Sequence, residues 1–165
     1  VPETAATFAA VFVALFVAHS VGDHWVQSSH QAAHKGENDR VEGQSSRAGR
    51  IACTLHVLGL TLTKGIALVA AVLVLDLPVT ALGLAAGLGI DAASHWWADR
   101  RSTLAWLAKL TGKAEFASLG TGAHPAGPVT AKGTPAAHLG TGAYALDQSF
   151  HHLFLFVAAL LIAAL

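Results

Sequence analysis

The sequence predicts an all-α protein: a four-helix transmembrane bundle with a short cytoplasmic interfacial helix and a Gly/Pro-rich loop. Three observations predict it. Of 165 residues, 53% are hydrophobic and only 12% charged, with a mean hydropathy of +0.52, where a soluble domain carries about a quarter charged residues. Four segments are apolar over the roughly 20 residues that a helix needs to cross a bilayer. Nine of the ten Lys and Arg residues fall in only two of the connecting segments. Such a chain has too much apolar material for disorder and too little charge to coat a soluble enzyme. Its length suits a single integral membrane domain, 1–165. Ten acidic residues balance ten basic ones, so the composition points to a lipid bilayer and not to nucleic acid as partner. A lone cysteine, Cys53, leaves no internal disulfide and no multi-cysteine metal site.

The first span runs over about 4–27, with no formal charge between Thr4 and Gly22. It opens with Glu3 instead of a basic stretch, and His19 and Asp23 stand where a signal peptidase would cut, so it reads as a retained helix. The second span covers 51–75, interrupted by Lys64, and the third covers 77–98. Asp76-Leu77-Pro78 predicts a tight turn that makes these two an antiparallel hairpin. Residues 102–119 place Leu104, Leu107, Leu110 and Ala114 at helical spacing beside Trp106, Lys109 and Lys113, as in a helix lying at the membrane interface. Residues 120–142 hold six glycines and three of the five prolines and predict a loop. Within it Leu119-Gly-Thr-Gly-Ala123 recurs as Leu139-Gly-Thr-Gly-Ala143, without the lysine or strand of a phosphate-binding loop. The fourth span covers 148–165.

The charges predict an orientation. Lys35, Arg40, Arg47 and Arg50 lie between spans one and two. Arg100, Arg101, Lys109, Lys113 and Lys132 lie between spans three and four. Both basic loops fall on one side, which the positive-inside rule makes cytoplasmic, with both termini outside. The expected location is a multi-pass position in the bacterial plasma membrane, the high alanine content matching a GC-rich bacterial source. The basic loops would also suit an anionic lipid or a cytoplasmic protein partner.

Ionisable residues inside apolar spans are costly and point to function. Span one carries His19 and Asp23, span two His56, span three Asp91 and His95 with Asp99 at its edge, and span four Asp147 and His151. Three spans repeat one device, a His and an Asp four residues apart, which share a helix face about 6 Å apart along the axis. All lie within about two turns of the predicted cytoplasmic ends, so four helices present polar faces at one level. Helix bundles build metal sites in this way. The set His19, Asp23, His56, Asp91, His95, Asp147 and His151 is therefore a candidate ligand set for a divalent transition metal, zinc favoured, with manganese or iron alternatives. Asp23, Asp91 and Asp147 are the candidate catalytic carboxylates, and Gln27 and Gln148 candidate donors behind the ligands. The same residues would also serve as buried hydrogen-bonded pairs that only hold helices in register, or as a proton or ion relay.

His19-Ser-Val-Gly22-Asp23-His-Trp-Val-Gln27, then His56, Asp91-Ala-Ala-Ser-His95 and Asp147-Gln148-Ser-Phe-His151 resembles a family of small bacterial integral membrane proteins of unknown function. That family carries His-x-x-Gly-Asp in its first helix and Asp-Gln-x-x-His in its last. The resemblance implies a fold and no activity. A looser similarity to membrane-bound metal-dependent hydrolases suggests hydrolysis, although no His-Glu-x-x-His helix is present. Two functional expectations follow: a metal-binding, hydrolase-like membrane protein, or a non-enzymatic scaffold with structural His–Asp pairs. A transporter would need a homo-oligomer, since four spans are few.

Overall fold

The computed structural model describes residues 3–121 and 140–165, which are helical with no strand among them. The elements are α1 (Glu3–Val21), a π-helical turn (Gly22–Val26), α2 (Ser29–His34), α3 (Ser46–Leu75), α4 (Ala81–Asp99), α5 (Ser102–Leu110), α6 (Ala114–Ser118) and α7 (Gly142–Ala164). Local sequence sets their starts. Ser28 and Gln31 form a reciprocal capping box at α2, and Ser45, Thr80 and Thr141 accept backbone N–H groups at the starts of α3, α4 and α7. Asp39 and Ser46 exchange backbone-to-side-chain hydrogen bonds ahead of α3, and the Ser46 N–H holds the Asp39 carboxyl below its usual range.

Among the described residues, three helices are long and apolar enough to cross a membrane: Glu3–Val26, Ser46–Leu75 and Gly142–Ala164. The segment expected as the third span is α4, 19 residues long, and it is not one of the three. Asp91, His95 and Asp99 interrupt its apolar run. The hairpin turn is present. Asp76 takes a left-handed conformation (φ 49°) and the Leu77 N–H bonds Val72 O at 3.2 Å, so α3 stops at Leu75 and α4 begins at Ala81 instead of 77. The last helix starts at Gly142, six residues before the expected 148. The single interfacial helix expected over 102–119 is two, α5 and α6, divided near Gly112 (φ 70°). Most of the predicted loop 120–142, with His124, His138, Lys132 and part of the Gly-Thr-Gly echo, lies outside the described residues.

The four long helices pack in a ring: α1 on α3, α3 on α4, α4 on α7 and α7 on α1. Along α3 the exposed residues Ile51, Leu55, Leu58, Leu62, Ile66, Val69 and Leu73 form one stripe at steps of three or four residues. The opposite face buries Cys53, His56, Leu60, Lys64 and Leu68. The molecule therefore turns large apolar side chains outward and ionisable ones inward, the reverse of a soluble domain. The interior has two layers. Val11, Leu15, Leu68, Leu155, Ala158, Ala159 and Ile162 form the apolar one. The polar layer lies toward the ends of α1 and α4 and the starts of α3 and α7. Small residues let the helices approach: a Cβ at Gly87 would lie 2.8 Å from Ala158 O, and one at Gly22 would lie 2.3 Å from Leu60 Cδ1. At Gly89, by contrast, a Cβ would meet nothing within 4 Å.

Candidate metal centre

The polar layer is assembled from the four long helices and the π turn. α1 delivers His19, and the wide turn that follows delivers Asp23; such turns recur at functional sites. α3 delivers His56, α4 His95 and Asp99, and α7 Asp147 and His151. His19, His56, His95, Asp99 and His151 are each buried to 2% exposure or less.

Four ligand-type atoms converge. His56 Nε2 lies 3.1 Å from His95 Nε2, 3.1 Å from Asp23 Oδ1 and 3.2 Å from Asp99 Oδ2. His95 Nε2 lies 3.2 Å from Asp99 Oδ2 and 3.9 Å from Asp23 Oδ1. These are five of the six separations among the four atoms. Metal–ligand bonds of about 2.0–2.1 Å around a tetrahedral ion require edges of about 3.3 Å. Asp23 Oδ1 and Asp99 Oδ2 are buried, yet neither has a hydrogen-bond partner despite these short separations. They face a space shared with the ring nitrogens of His56 and His95. Orphaned buried carboxylate oxygens are expensive unless something fills that space. These buried His and Asp groups could hold a metal ion.

His151 adjoins the four. Its ring stacks on His95 with centroids 3.9 Å apart, and its Nε2 lies 3.9 Å from Asp99 Oδ1 and 3.4 Å from Asp147 Oδ1. His95, Asp99 and His151 form a second close trio of ligand atoms. His19 stands behind them, 4.0 Å from Asp23 Oδ2, with neither ring nitrogen hydrogen-bonded. Gln148 Nε2 donates to Asp23 Oδ2 at 3.4 Å and Asp147 Oδ2 at 3.3 Å. With its amide oxygen turned inward, Gln27 accepts from His56 Nδ1 at 2.9 Å and from Lys35 Nζ at 2.9 Å. Both glutamines occupy the places behind the ligands that the sequence suggests.

Two of the structure's assignments differ from the sequence reading. Asp91 points away from the His set: both its oxygens accept from Lys64 Nζ, at 2.8 and 2.7 Å, in a fully buried ion pair. A carboxylate held by an ammonium in a dry interior is committed to that ammonium, which also accounts for Lys64 inside an apolar span. Asp99, expected only at the edge of its span, takes the central position instead. Lys35, which reads in sequence as loop charge, reaches in to bond Asp99 Oδ1 at 2.9 Å. Arg100 brings it there by donating to the Lys35 and Glu37 carbonyls, while Arg101 donates to Ala32 O at 2.8 Å. Asp99 repeats the four-residue spacing after His95, a signal the sequence does carry; nothing local marks Lys35.

A cavity of about 540 Å³ opens beside the centre, between the π turn, α2, α5, α6 and the start of α7. Asp23, Asp99 and Asp147 are in its wall. His24, also in the wall, is tied to Tyr144 Oη at 3.3 Å. Among known proteins, no family, curated protein or solved structure matches this chain.

Proposed function

We propose that the chain is a membrane-embedded metal-binding protein, a four-helix transmembrane bundle in which α4 is the fourth crossing, with metal-dependent hydrolase activity at the cytoplasmic leaflet. The observation that carries the proposal is the convergence of Asp23 Oδ1 and Asp99 Oδ2 on the Nε2 atoms of His56 and His95, at separations of 3.1–3.9 Å. Two imidazoles and two carboxylates suit zinc first, then manganese or iron(II). The ring packing and buried charge of α4 support its place among crossing helices. The two basic connections support a cytoplasmic face for the centre. The motif order supports kinship with the small bacterial membrane family that the sequence resembles.

A divalent ion held by three of these side chains, with its fourth position open, would supply a water of lowered pKa. The chain's own residues divide the remaining work. Asp23 and Asp99 hold charge at the centre, and Gln27 and Gln148 orient His56 and Asp23. Asp147, a quarter exposed at the cavity, is the carboxylate placed to take a proton. Asp91, neutralised by Lys64, fixes α3 against α4 and has no part in proton transfer.

Metal analysis of the detergent-purified protein tests this. The expected result is about one equivalent of transition metal per chain. Less than about a tenth, without recovery on reloading, would sink the metal centre. One observation favours a second reading. Lys35 already neutralises Asp99 at 2.9 Å, as in a metal-free polar core that only holds the helices together. In that reading the protein is a scaffold, its basic loops docking anionic lipid or a cytoplasmic protein, and metal is absent throughout.

A further inference from the structure

The cavity beside the centre has a mixed lining. Lys35 and Arg101 share its wall with Asp23, Asp99 and Asp147, and Leu104, Ala105, Ala108, Ala117 and Leu146 supply apolar surface. Arg101 is built into its place. Its backbone is left-handed (φ 54°), which a non-glycine residue adopts only when its surroundings enforce it. Its stem fills a hollow left by Gly36, where a Cβ would lie 2.4 Å from Arg101 Cδ. The Arg101 guanidinium is anchored on Ala32 O at 2.8 Å. On the outer side of the apolar wall, Trp106, Leu110 and Phe116 are exposed, the pattern of helices resting on a lipid surface. A volume of about 540 Å³ lies within the range of small-ligand sites.

From these features we infer that the cavity binds a phosphate monoester carried on an apolar chain, with the phosphate against Lys35 and Arg101 and the chain along α5 and α6. The inference rests on the proposed metal centre for its charge. With the charges of Asp23 and Asp99 offset by a divalent ion, Asp147 alone remains against Lys35 and Arg101, and the net field favours an anion. Arginine's planar fork matches phosphate oxygens better than a point charge does. The apolar lining from α5 and α6, the helices that also carry the exposed Trp106, Leu110 and Phe116, selects a lipid-borne phosphate over a free one.

Dodecyl phosphate is the probe, titrated calorimetrically into zinc-loaded full-length protein in neutral maltoside detergent, with zinc quantified in the same samples. One saturable site is expected, weakened about tenfold or more by Arg101→Gln, and likewise by Ala105→Trp, which fills the apolar wall. Inorganic phosphate is expected to bind at least about tenfold more weakly than dodecyl phosphate. Equal affinity for inorganic phosphate would overturn the lipid-borne ligand. Uptake that neither variant alters, or that dodecanol reproduces, would reduce the signal to micelle partitioning and overturn the site. Zinc retained without dodecyl phosphate binding defeats this inference alone. Binding retained without zinc defeats the metal centre and leaves the cavity assignment standing.

Discussion

The Nε2 atoms of His56 and His95 lie 3.1 Å apart, although 39 positions separate them in the chain. The α3–α4 hairpin brings them to one level, and Asp23 and Asp99 close on the same point from the π turn and from α4. Each helix contributes one or two ligand-type atoms, so no single element could bind an ion alone. Binding should therefore depend on every contributing helix.

Single-ligand variants test that dependence. In His56→Ala and Asp99→Asn, zinc should fall from about one equivalent to below about a tenth after a mild chelator wash, with helical circular dichroism preserved. Asp99→Asn is the sharper case, because Asp99 lies in the centre only by virtue of the tertiary structure. Full zinc retention in that variant would remove Asp99 from the ligand set.

Asp91 should behave differently. Asp91→Asn strands the Lys64 ammonium in a dry interior, a change that costs about 3–5 kcal/mol when one partner of a buried pair is lost. Thermal unfolding in detergent should drop accordingly while zinc stays near its original stoichiometry at low temperature. The double variant Lys64→Met/Asp91→Leu should recover most of the loss. An Asp91→Asn protein of unchanged stability that has lost its zinc would make Asp91 a ligand after all.

The α4–α7 contact depends on the small surface of Gly87, where even a Cβ would meet Ala158 O at 2.8 Å and Ile162 Cγ1 at 2.5 Å. Gly87→Val should destabilise by about 1–3 kcal/mol through overpacking, read as a lower midpoint of thermal unfolding. Gly89→Val, where nothing lies within 4 Å, serves as the matched control and should be near neutral. Equal effects at both positions would mean that helix propensity, not packing, sets the cost.

Sidedness is testable in intact cells after Cys53→Ser removes the native thiol. Cysteines introduced as Ser45→Cys and Thr130→Cys should be shielded from a membrane-impermeant thiol reagent, and Val79→Cys should be labelled from outside. Labelling at 45 and 130 would invert the protein and turn the proposed centre toward the exterior. Labelling at only one of them would break the four-span topology.

Much of the site was legible because a helix fixes which residues share a face. His19 with Asp23, and Asp147 with His151, were paired by spacing alone, and both pairs face the polar layer. His95 shows where that logic stops. Asp91 lies four residues before it and Asp99 four residues after, so both share its face and the spacing cannot choose between them. The choice depends on height along the helix. One turn deeper, Lys64 of α3 captures Asp91; one turn toward the end of the helix, His56 and Lys35 meet Asp99.

By itself the sequence determined the all-helical class, the apolar segments, the α3–α4 turn and the set of ionisable residues too costly to leave in lipid. These follow from local composition, from a periodicity of about 3.6 residues and from the price of burying charge. Only the tertiary structure decided which of those residues meet. It exchanged Asp91 for Asp99, gave Lys64 its partner, brought Lys35 into the centre through α2, and opened the cavity beside α5 and α6. Each of those outcomes depends on the relative height and rotation of packed helices. Side-chain contacts between helices fix both, and no stretch of one helix encodes them alone.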